Sequence, residues 1–250
     1  MAGVDIKEEE QVKMLSRFSS RFKNEYESLP RFPTKVKHQY YLRNHTFESV
    51  DGEVYYSMIR HFKPRKIFEI GAGYSTYLAA QAILKNKEED DCYKCELVAI
   101  EPYPNDVLER GFPGLSKLLP RKVQEIPLSE FEKLRQNDIL FIDSSHVLRI
   151  GSDVQYEYLD ILPRLNRGVI VHIHDIFLPL EYPKKWILKD HFLYTEQYLL
   201  QAFLAFNDTF EVLWAGEYMH LKHPDKLKEA FSSYKPSKTK PGSFWIRRIK

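Results

Sequence analysis

The sequence predicts an α/β protein built on an open, doubly wound sheet. Apolar strands and helical segments alternate along most of the 250 residues, which is the pattern of a sheet covered by helices on both faces. Residues 139–142 are continuously apolar, as is typical of a strand buried on both faces of a parallel sheet. A glycine turn, Gly71-Ala72-Gly73, joins a strand directly to a helix.

Two helices precede the first strand. Apolar residues recur at spacings of three and four from Leu15 onward, which predicts an amphipathic helix over residues 8–29. A second helix is expected from Asp51, as its N-cap, to the residue before Pro64. The expected division of the chain is a helical extension, 1–40, and a main domain, 41–250.

Seven strands follow from the apolar runs and the turn residues between them. They are predicted at residues 67–70, 97–100, 123–126, 139–143, 168–175, 210–214 and 243–248. The main intervening helices are predicted at residues 75–85, 153–162 and 195–206. Two charged stretches, 85–95 and 222–240, are expected at the surface, the first as an insertion and the second as a solvent-exposed connection.

Composition excludes several classes of protein. Hydrophobic residues make up 43% and charged residues 29% of the chain, which is ordinary for a globular domain. The net charge of +2 gives no nucleic-acid footprint. No apolar run is long enough to span a membrane, and the N-terminus lacks the apolar core of a signal peptide, so we expect a cytoplasmic protein. Cys92 and Cys95 make no disulfide framework and only half a zinc site.

The glycine turn indicates a nucleotide site of a particular kind. Glycine lets the backbone approach a ligand closely, and the helix that starts at Ser75 and Thr76 offers free N–H groups. A dinucleotide fingerprint would have a third glycine, and Thr76 stands in its place. Glu69 precedes Gly71 by two residues, and such an acid favours a cationic nucleoside without phosphate.

Polar residues end four of the predicted strands. Glu69, Glu101, Asp143 and the pair His174-Asp175 all follow apolar runs, so we expect them at one edge of the sheet, where ligands bind in such folds. Glu101 is placed to accept ribose hydroxyls. Its interval from the glycine turn is longer than the usual twenty or so residues because of the 85–95 insertion.

The order of the segments E-I-G-A-G-Y-S-T, A-I-E-P, L-F-I-D-S-S-H, H-I-H-D-I-F and S-F-W-I-R-R resembles that of class I S-adenosylmethionine-dependent methyltransferases. It is similar, more narrowly, to a largely uncharacterised bacterial group of that fold, over about residues 40–250. The resemblance implies a Rossmann-like sheet whose last strand is antiparallel and lies between the fifth and sixth. Residues 41–250 would then form the methyltransferase domain.

The resemblance also implies a cofactor site. Glu69, Gly71 and Gly73 would surround the methionine part of S-adenosylmethionine. Glu101 would hold the ribose, and Asp143 would lie near the methyl sulfonium. Ser75 and Thr76 would lie beside the cofactor's carboxylate. Carboxylates near a sulfonium cation are electrostatically favourable, and a helix N-terminus suits the carboxylate.

Two uses remain open for the polar residues beyond the cofactor. His146 or His174 is a candidate general base for the acceptor, with Asp175 beside it, since histidine titrates near neutral pH. Alternatively, Asp143, His146, His174 and Asp175 are candidate ligands of a divalent metal. Metal-dependent O-methyltransferases of this fold bind magnesium through acids after strands four and five, and His174-Asp175 departs from their pair of acid or amide ligands.

The expected reaction is methyl transfer to a hydroxyl, less readily an amine, of a small-molecule or saccharide acceptor. The aromatic segment 177–218 is the candidate acceptor pocket. Other functions remain as alternatives: a non-catalytic S-adenosylmethionine-binding protein, a different transferase, or a nicotinamide enzyme, which Thr76 disfavours. The amphipathic N-terminal helix leaves pairing into a homo-oligomer open.

Overall fold

The structure, a computed structural model, describes residues 1–250. Seven strands form its sheet: β1 Lys66–Ile70, β2 Glu96–Ile100, β3 Lys117–Leu119, β4 Ile139–Ile142, β5 Ile170–Ile173, β6 Phe210–Ala215 and β7 Phe244–Arg248. Their order is β3-β2-β1-β4-β5-β7-β6. All neighbouring pairs from β3 to β5 are parallel, and β7 pairs antiparallel with both β5 and β6. The predicted fold class, including the antiparallel last strand between the fifth and sixth, is confirmed.

Ten α-helices surround the sheet and bury it on both faces. They are α1 Glu8–Glu27, α2 Asp51–Phe62, α3 Tyr74–Glu89, α4 Asp106–Arg110, α5 Leu128–Phe131, α6 Asp153–Tyr156, α7 Lys184–Leu188, α8 Glu196–Leu204, α9 Gly216–Lys222 and α10 Pro224–Ala230. No helix is both long enough and apolar enough to cross a membrane. The strand order reverses between β1 and β4, so a crevice opens at their carboxyl ends.

The third strand is not where the sequence predicts it. Residues Val123–Glu125 form a 3₁₀ turn, and the edge strand β3 lies earlier, pairing Lys117 with Val98. Val123 and Ile126 are both buried, and a spacing of three places them on one side of a helical turn rather than of a strand. The apolar pair therefore reflects helical packing.

The two stretches expected at the surface are partly buried. The helix α3 continues to Glu89, and Asn86 and Tyr93 pack inside. The stretch 222–240 contains α10, whose end packs on α1: the Tyr26 hydroxyl donates to the Ala230 carbonyl over 3.1 Å. The helix α10 is short, and its buried Leu227 is flanked by two lysines, so the sequence shows no clear amphipathic pattern there.

Asp51 is not an N-cap. The cap position of α2 is Val50, and Asp51 is the first helical residue. Its two carboxylate oxygens accept backbone N–H groups of Gly242 and Ser243, over 2.9 and 3.0 Å. The start of α2 is thereby attached to the approach to β7, next to the carboxyl end of β5.

Candidate active site

The glycine turn fixes the end of β1 against the end of β4. Gly71 has a φ of +80°, and a Cβ on it would lie 1.9 Å from the backbone oxygen of Asp143. Only glycine fits such a left-handed, close-packed position. Gly73 is extended, and a Cβ there would meet no atom within 4 Å. The space beyond Gly73 is therefore open to a ligand.

Glu69 lies beneath this turn without a partner. It is fully buried, and neither carboxylate oxygen has a hydrogen bond. Burial raises the pKa of Glu69 to about 8, although the nearby hydroxyls of Ser75 and Thr76 oppose the shift. An unpaired buried carboxyl is costly, so this position favours a cationic or hydrogen-bond-donating ligand.

The raised pKa of Glu69 predicts how stability depends on pH. Between pH 4.5, the ordinary pKa, and about 8 the folded protein keeps a proton that the unfolded chain releases. Stability therefore falls as pH rises through that window. We expect Glu69→Gln to flatten this dependence and to be more stable than the wild type at pH 9 by about 2–4 kcal/mol. Urea unfolding at pH 5 and pH 9 measures the difference; parallel pH dependence in the two proteins would contradict it.

Glu101 lies at the end of β2, where the sequence placed it. Its two oxygens accept the N–H groups of Ala72 and Tyr103, over 3.2 and 2.8 Å. Each oxygen keeps a further lone pair for a ligand hydroxyl. The Thr76 hydroxyl accepts the Gly73 N–H over 3.0 Å, and Ser75 is buried beside it. Because the Thr76 hydroxyl is already used and Ser75 is buried, the groups at the start of α3 that can still bind a ligand are its backbone N–H groups.

His146 is the most constrained side chain of the site. Its Nδ1 is 2.7 Å from Glu196 Oε2, and its Nε2 is 3.2 Å from Asp143 Oδ1 and 3.6 Å from Asp175 Oδ2. Burial disfavours the imidazolium, but Asp143 and Glu196 outweigh it and raise the pKa of His146 well above its usual value. Burial raises the pKa of Glu196 despite the histidine.

The backbone places His146 through two unusual features. His146 and Asp175 both adopt positive φ, 59° and 54°, which is uncommon for residues other than glycine and concentrates at functional sites. The carbonyl of His146 accepts the N–H groups of Thr195 and Glu196 over 2.8 and 3.1 Å. The loop after β4 and the start of α8 are therefore joined by backbone and side-chain bonds at one residue.

His174 ends β5 on the other side of Asp143. Its Nδ1 is 3.4 Å from Asp143 Oδ1 and 3.7 Å from Asp175 Oδ1, and its Nε2 is 3.8 Å from Asp51 Oδ2. Burial opposes its charge, but Asp143 and Asp175 raise the pKa of His174 well above its usual value. Burial in turn raises the pKa of Asp175. The two histidines are thus surrounded by four carboxyl groups, those of Asp51, Asp143, Asp175 and Glu196.

Three of the four candidate metal ligands converge. Donor atoms of Asp143, His146 and Asp175 all lie within 4.8 Å of one another. His174 is not among these three. The set can therefore act as a proton-transfer centre or hold a small cation.

Sequence reasoning missed the role of Glu196 and Asp51. Glu196 appeared only among the polar residues of the segment 177–218, and it stands 50 positions from His146. Within that segment Phe177 and Trp186 line a cavity of about 700 Å³ beside His174 and Asp175, whereas Tyr194 packs on His146 with ring centroids 4.7 Å apart. The one sequence signal for Glu196 is an acid near the start of the helix predicted at residues 195–206, and its burial is visible only in the structure.

Comparison with known proteins finds a matching family. Residues 68–176, which run from within β1 to three residues past β5, match the family model described as a methyltransferase domain. The resemblance to class I S-adenosylmethionine-dependent methyltransferases is therefore confirmed over this part of the chain. The matched part of the chain contains the glycine turn, Glu101, Asp143, His146 and the His174-Asp175 pair.

Individual similar proteins differ in identity and in how much of the chain they match. An uncharacterized protein of Archaeoglobus fulgidus is 37% identical over 143 residues, which cover 55% of this chain and 61% of the relative. The chain thus spans about three fifths of that protein. The solved O-methyltransferase from Bacillus cereus in complex with SAH is 13% identical, with coverage of 96% and 90% and a TM-score of 0.43. A structure titled cmcI-D160 Mg-SAM is 16% identical, with coverage of 82% and 73% and a TM-score of 0.41.

Proposed function

We propose that this chain transfers a methyl group from S-adenosylmethionine to a hydroxyl of a small-molecule or saccharide acceptor. The observation that carries the proposal is the position of His146. One ring nitrogen is held by buried Glu196, and the other faces Asp143 and Asp175 beside the glycine turn. A base oriented by a buried carboxylate is the arrangement that proton abstraction requires.

The cofactor would lie over the glycine turn. Its sulfonium supplies an electrophilic methyl group. The orphaned carboxyl of Glu69 and the open space at Gly73 fit a cationic ligand with hydrogen-bond donors. Glu101 would accept the ribose hydroxyls, and Asp143 would face the positive charge. The N–H groups at Ser75 and Thr76 would face the cofactor's carboxylate.

His146 would receive the acceptor's proton at Nε2 as the oxygen–methyl bond forms and the methyl–sulfur bond breaks, with the thioether as the leaving group. Nδ1 keeps its proton and donates it in a hydrogen bond to Glu196, so the positive charge of the resulting imidazolium is stabilised by that carboxylate. The pKa of His146 falls when a second positive charge lies beside Asp143, and Nε2 is then free to accept. Asp175 would orient the ring from the other side, while His174 is the second candidate base.

A divalent metal is the second candidate for activating the hydroxyl, because three donors converge at Asp143, His146 and Asp175. The hydrogen bond from Nδ1 to Glu196 is also what metal-bound histidines commonly make. A mixed set of imidazole and carboxylate fits Mn²⁺, Fe²⁺ or Zn²⁺ better than Mg²⁺, which prefers oxygen ligands.

The metal candidate predicts a clear dependence on chelation. If a metal is required, EDTA should abolish turnover, and Mn²⁺ should restore it better than Mg²⁺. Mn²⁺ should also raise the melting temperature of the wild type and leave that of Asp175→Asn unchanged. Turnover that is indifferent to EDTA would eliminate the metal and leave His146 as the activating group.

The proposed function is tested by binding followed by turnover. Calorimetry should detect binding of S-adenosylmethionine and none of NAD, which separates a methyltransferase from a nicotinamide enzyme. A labelled-methyl assay over hydroxyl compounds then separates an enzyme from a binding protein. Binding without transfer to any acceptor would favour the non-catalytic alternative.

A further inference from the structure

A cavity of about 700 Å³ opens on the acceptor side of the site. Its floor is His174 and Asp175, at the end of β5, and Asp175 is within 3.6 Å of His146 Nε2. Its walls come from residues 31–51, 183–186 and 232–242, which are far apart in the sequence. Only three of its 21 lining residues are hydrophobic. The cavity is therefore a polar chamber that leads to the reaction centre.

The cavity carries an excess of positive charge. Three acids line it, Glu48, Asp51 and Asp175, against six cationic side chains: Arg31, Arg43, Lys185, Lys235, Lys238 and Lys240. Among these six, only Lys185 has an ion pair, with Asp190 at 3.3 Å. The other five have no carboxylate oxygen within 4.0 Å, so their charges are available to a ligand.

We propose that this cavity binds an anionic acceptor, a hydroxyl compound that carries a phosphate or carboxylate group. The inference rests on the proposed methyl transfer and names the class of its substrate. The anionic group would lie among the lysines and arginines at the mouth, and the hydroxyl would extend to the floor at His174 and Asp175. Charge-assisted hydrogen bonds of this kind are strong and directional.

The placement of the cations favours a small anion over a nucleic acid. They come from three separate segments, 31–43, 185 and 235–240, and line one cavity instead of forming a continuous basic stripe along a helix or strand. Asp51 and Asp175 at its inner end would repel a second anionic group there. A neutral aromatic acceptor is disfavoured as well, since the few apolar residues give its rings little to pack against.

Lys235 and Lys238 are suited to a test because the fold does not use their side chains. The backbone of residues 235–239 forms a compact turn: the N–H groups of Lys238 and Thr239 donate to the Lys235 carbonyl, and the Thr239 hydroxyl accepts the Lys235 N–H. Charge reversal therefore leaves the turn intact. Lys228, exposed on α10 and outside the cavity, is the matched control.

The probe is inorganic pyrophosphate, titrated by calorimetry into the full-length protein at low salt, with S-adenosylmethionine titrated separately. We expect K235E/K238E to weaken pyrophosphate binding by about tenfold or more, and K228E and K235R/K238R to change it by less than about twofold. All four proteins should bind S-adenosylmethionine alike. Equal pyrophosphate affinity in K235E/K238E, or tighter and equally sensitive binding of a single-stranded oligonucleotide, would overturn the proposal.

Matched acceptors then identify the anion. A sugar, its phosphate and its uronic acid are compared in the labelled-methyl assay, and we expect one charged form to be preferred, with KM raised and kcat kept in K235E/K238E. Preference for the neutral sugar would overturn the anionic class. If no compound is methylated, the pyrophosphate titration alone decides whether the cavity binds an anion. Failure of the wild type to bind S-adenosylmethionine would instead reject the proposed function.

Discussion

Replacing His146 by alanine is expected to slow methyl transfer by about 10²–10⁴-fold at saturating cofactor, the usual contribution of a general base. The reason is that, in the proposed mechanism, Nε2 of His146 accepts the acceptor's proton while Glu196, 2.7 Å from Nδ1, holds the ring. The affinity for S-adenosylmethionine should change little, because most of the residues proposed to hold the cofactor lie on β1 and just after β1 and β2. Single-turnover kinetics with labelled cofactor measures the chemical step.

Two variants separate this role from a structural one. His61→Ala, a histidine-to-alanine change on α2 away from the site, should keep wild-type turnover. His174→Ala should lose less than His146→Ala, since no carboxylate lies within 3.2 Å of the His174 ring. Loss confined to His174→Ala would transfer the base role to that residue.

The pH profile gives a further check on the base. Asp143 and Glu196 raise the pKa of His146. Asp175, 3.6 Å from Nε2, and His174, on the other side of Asp143, also face this group. Turnover should therefore rise with pH as the imidazolium loses its proton. In Glu196→Gln one of the two raising groups is neutral, so the rising limb should move to lower pH. An unchanged limb would mean that another group is titrating.

Gly71→Ala is expected to destabilise the protein by about 3–6 kcal/mol and to abolish cofactor binding. The added Cβ would lie 1.9 Å from the Asp143 backbone oxygen, and the φ of +80° is itself unfavourable for alanine. Neither strand can yield easily, because the Asp143 N–H donates to the Ile70 carbonyl over 2.8 Å. Chemical denaturation at fixed pH gives the free energy of unfolding.

Gly73→Ala is the matched control for this substitution. Its Cβ would meet no atom within 4 Å, and its backbone is extended, so the free energy of unfolding should stay within about 1 kcal/mol of the wild type. Affinity for S-adenosylmethionine should nevertheless fall, because the methyl group would enter the space assigned to the cofactor. Unaltered cofactor affinity in this variant would place the ligand elsewhere.

The sequence indicated the cofactor half of the site better than the acceptor half. Glu69 lies within β1, and Gly71 and Asp143 directly follow β1 and β4, which pair in register, so topology alone brings the three together. Glu196 joins His146 through a helix 50 residues downstream, and no local pattern encodes that contact. The strand predicted at residues 123–126 is wrong for a similar reason. Two apolar residues, Val123 and Ile126, are compatible with a strand or with a helical turn, and only their packing neighbours decide between the two.

The contact between Gly71 and the Asp143 carbonyl also constrains how this protein can diversify. Asp143 touches the glycine turn with its backbone and His146 with its side chain, so a shift in the turn would also displace the proposed proton acceptor. Mutations near this contact would disturb both partners of the reaction at once. The segments 31–51 and 232–242, which line the cavity beyond it, are where a lineage could exchange one acceptor for another without losing the cofactor.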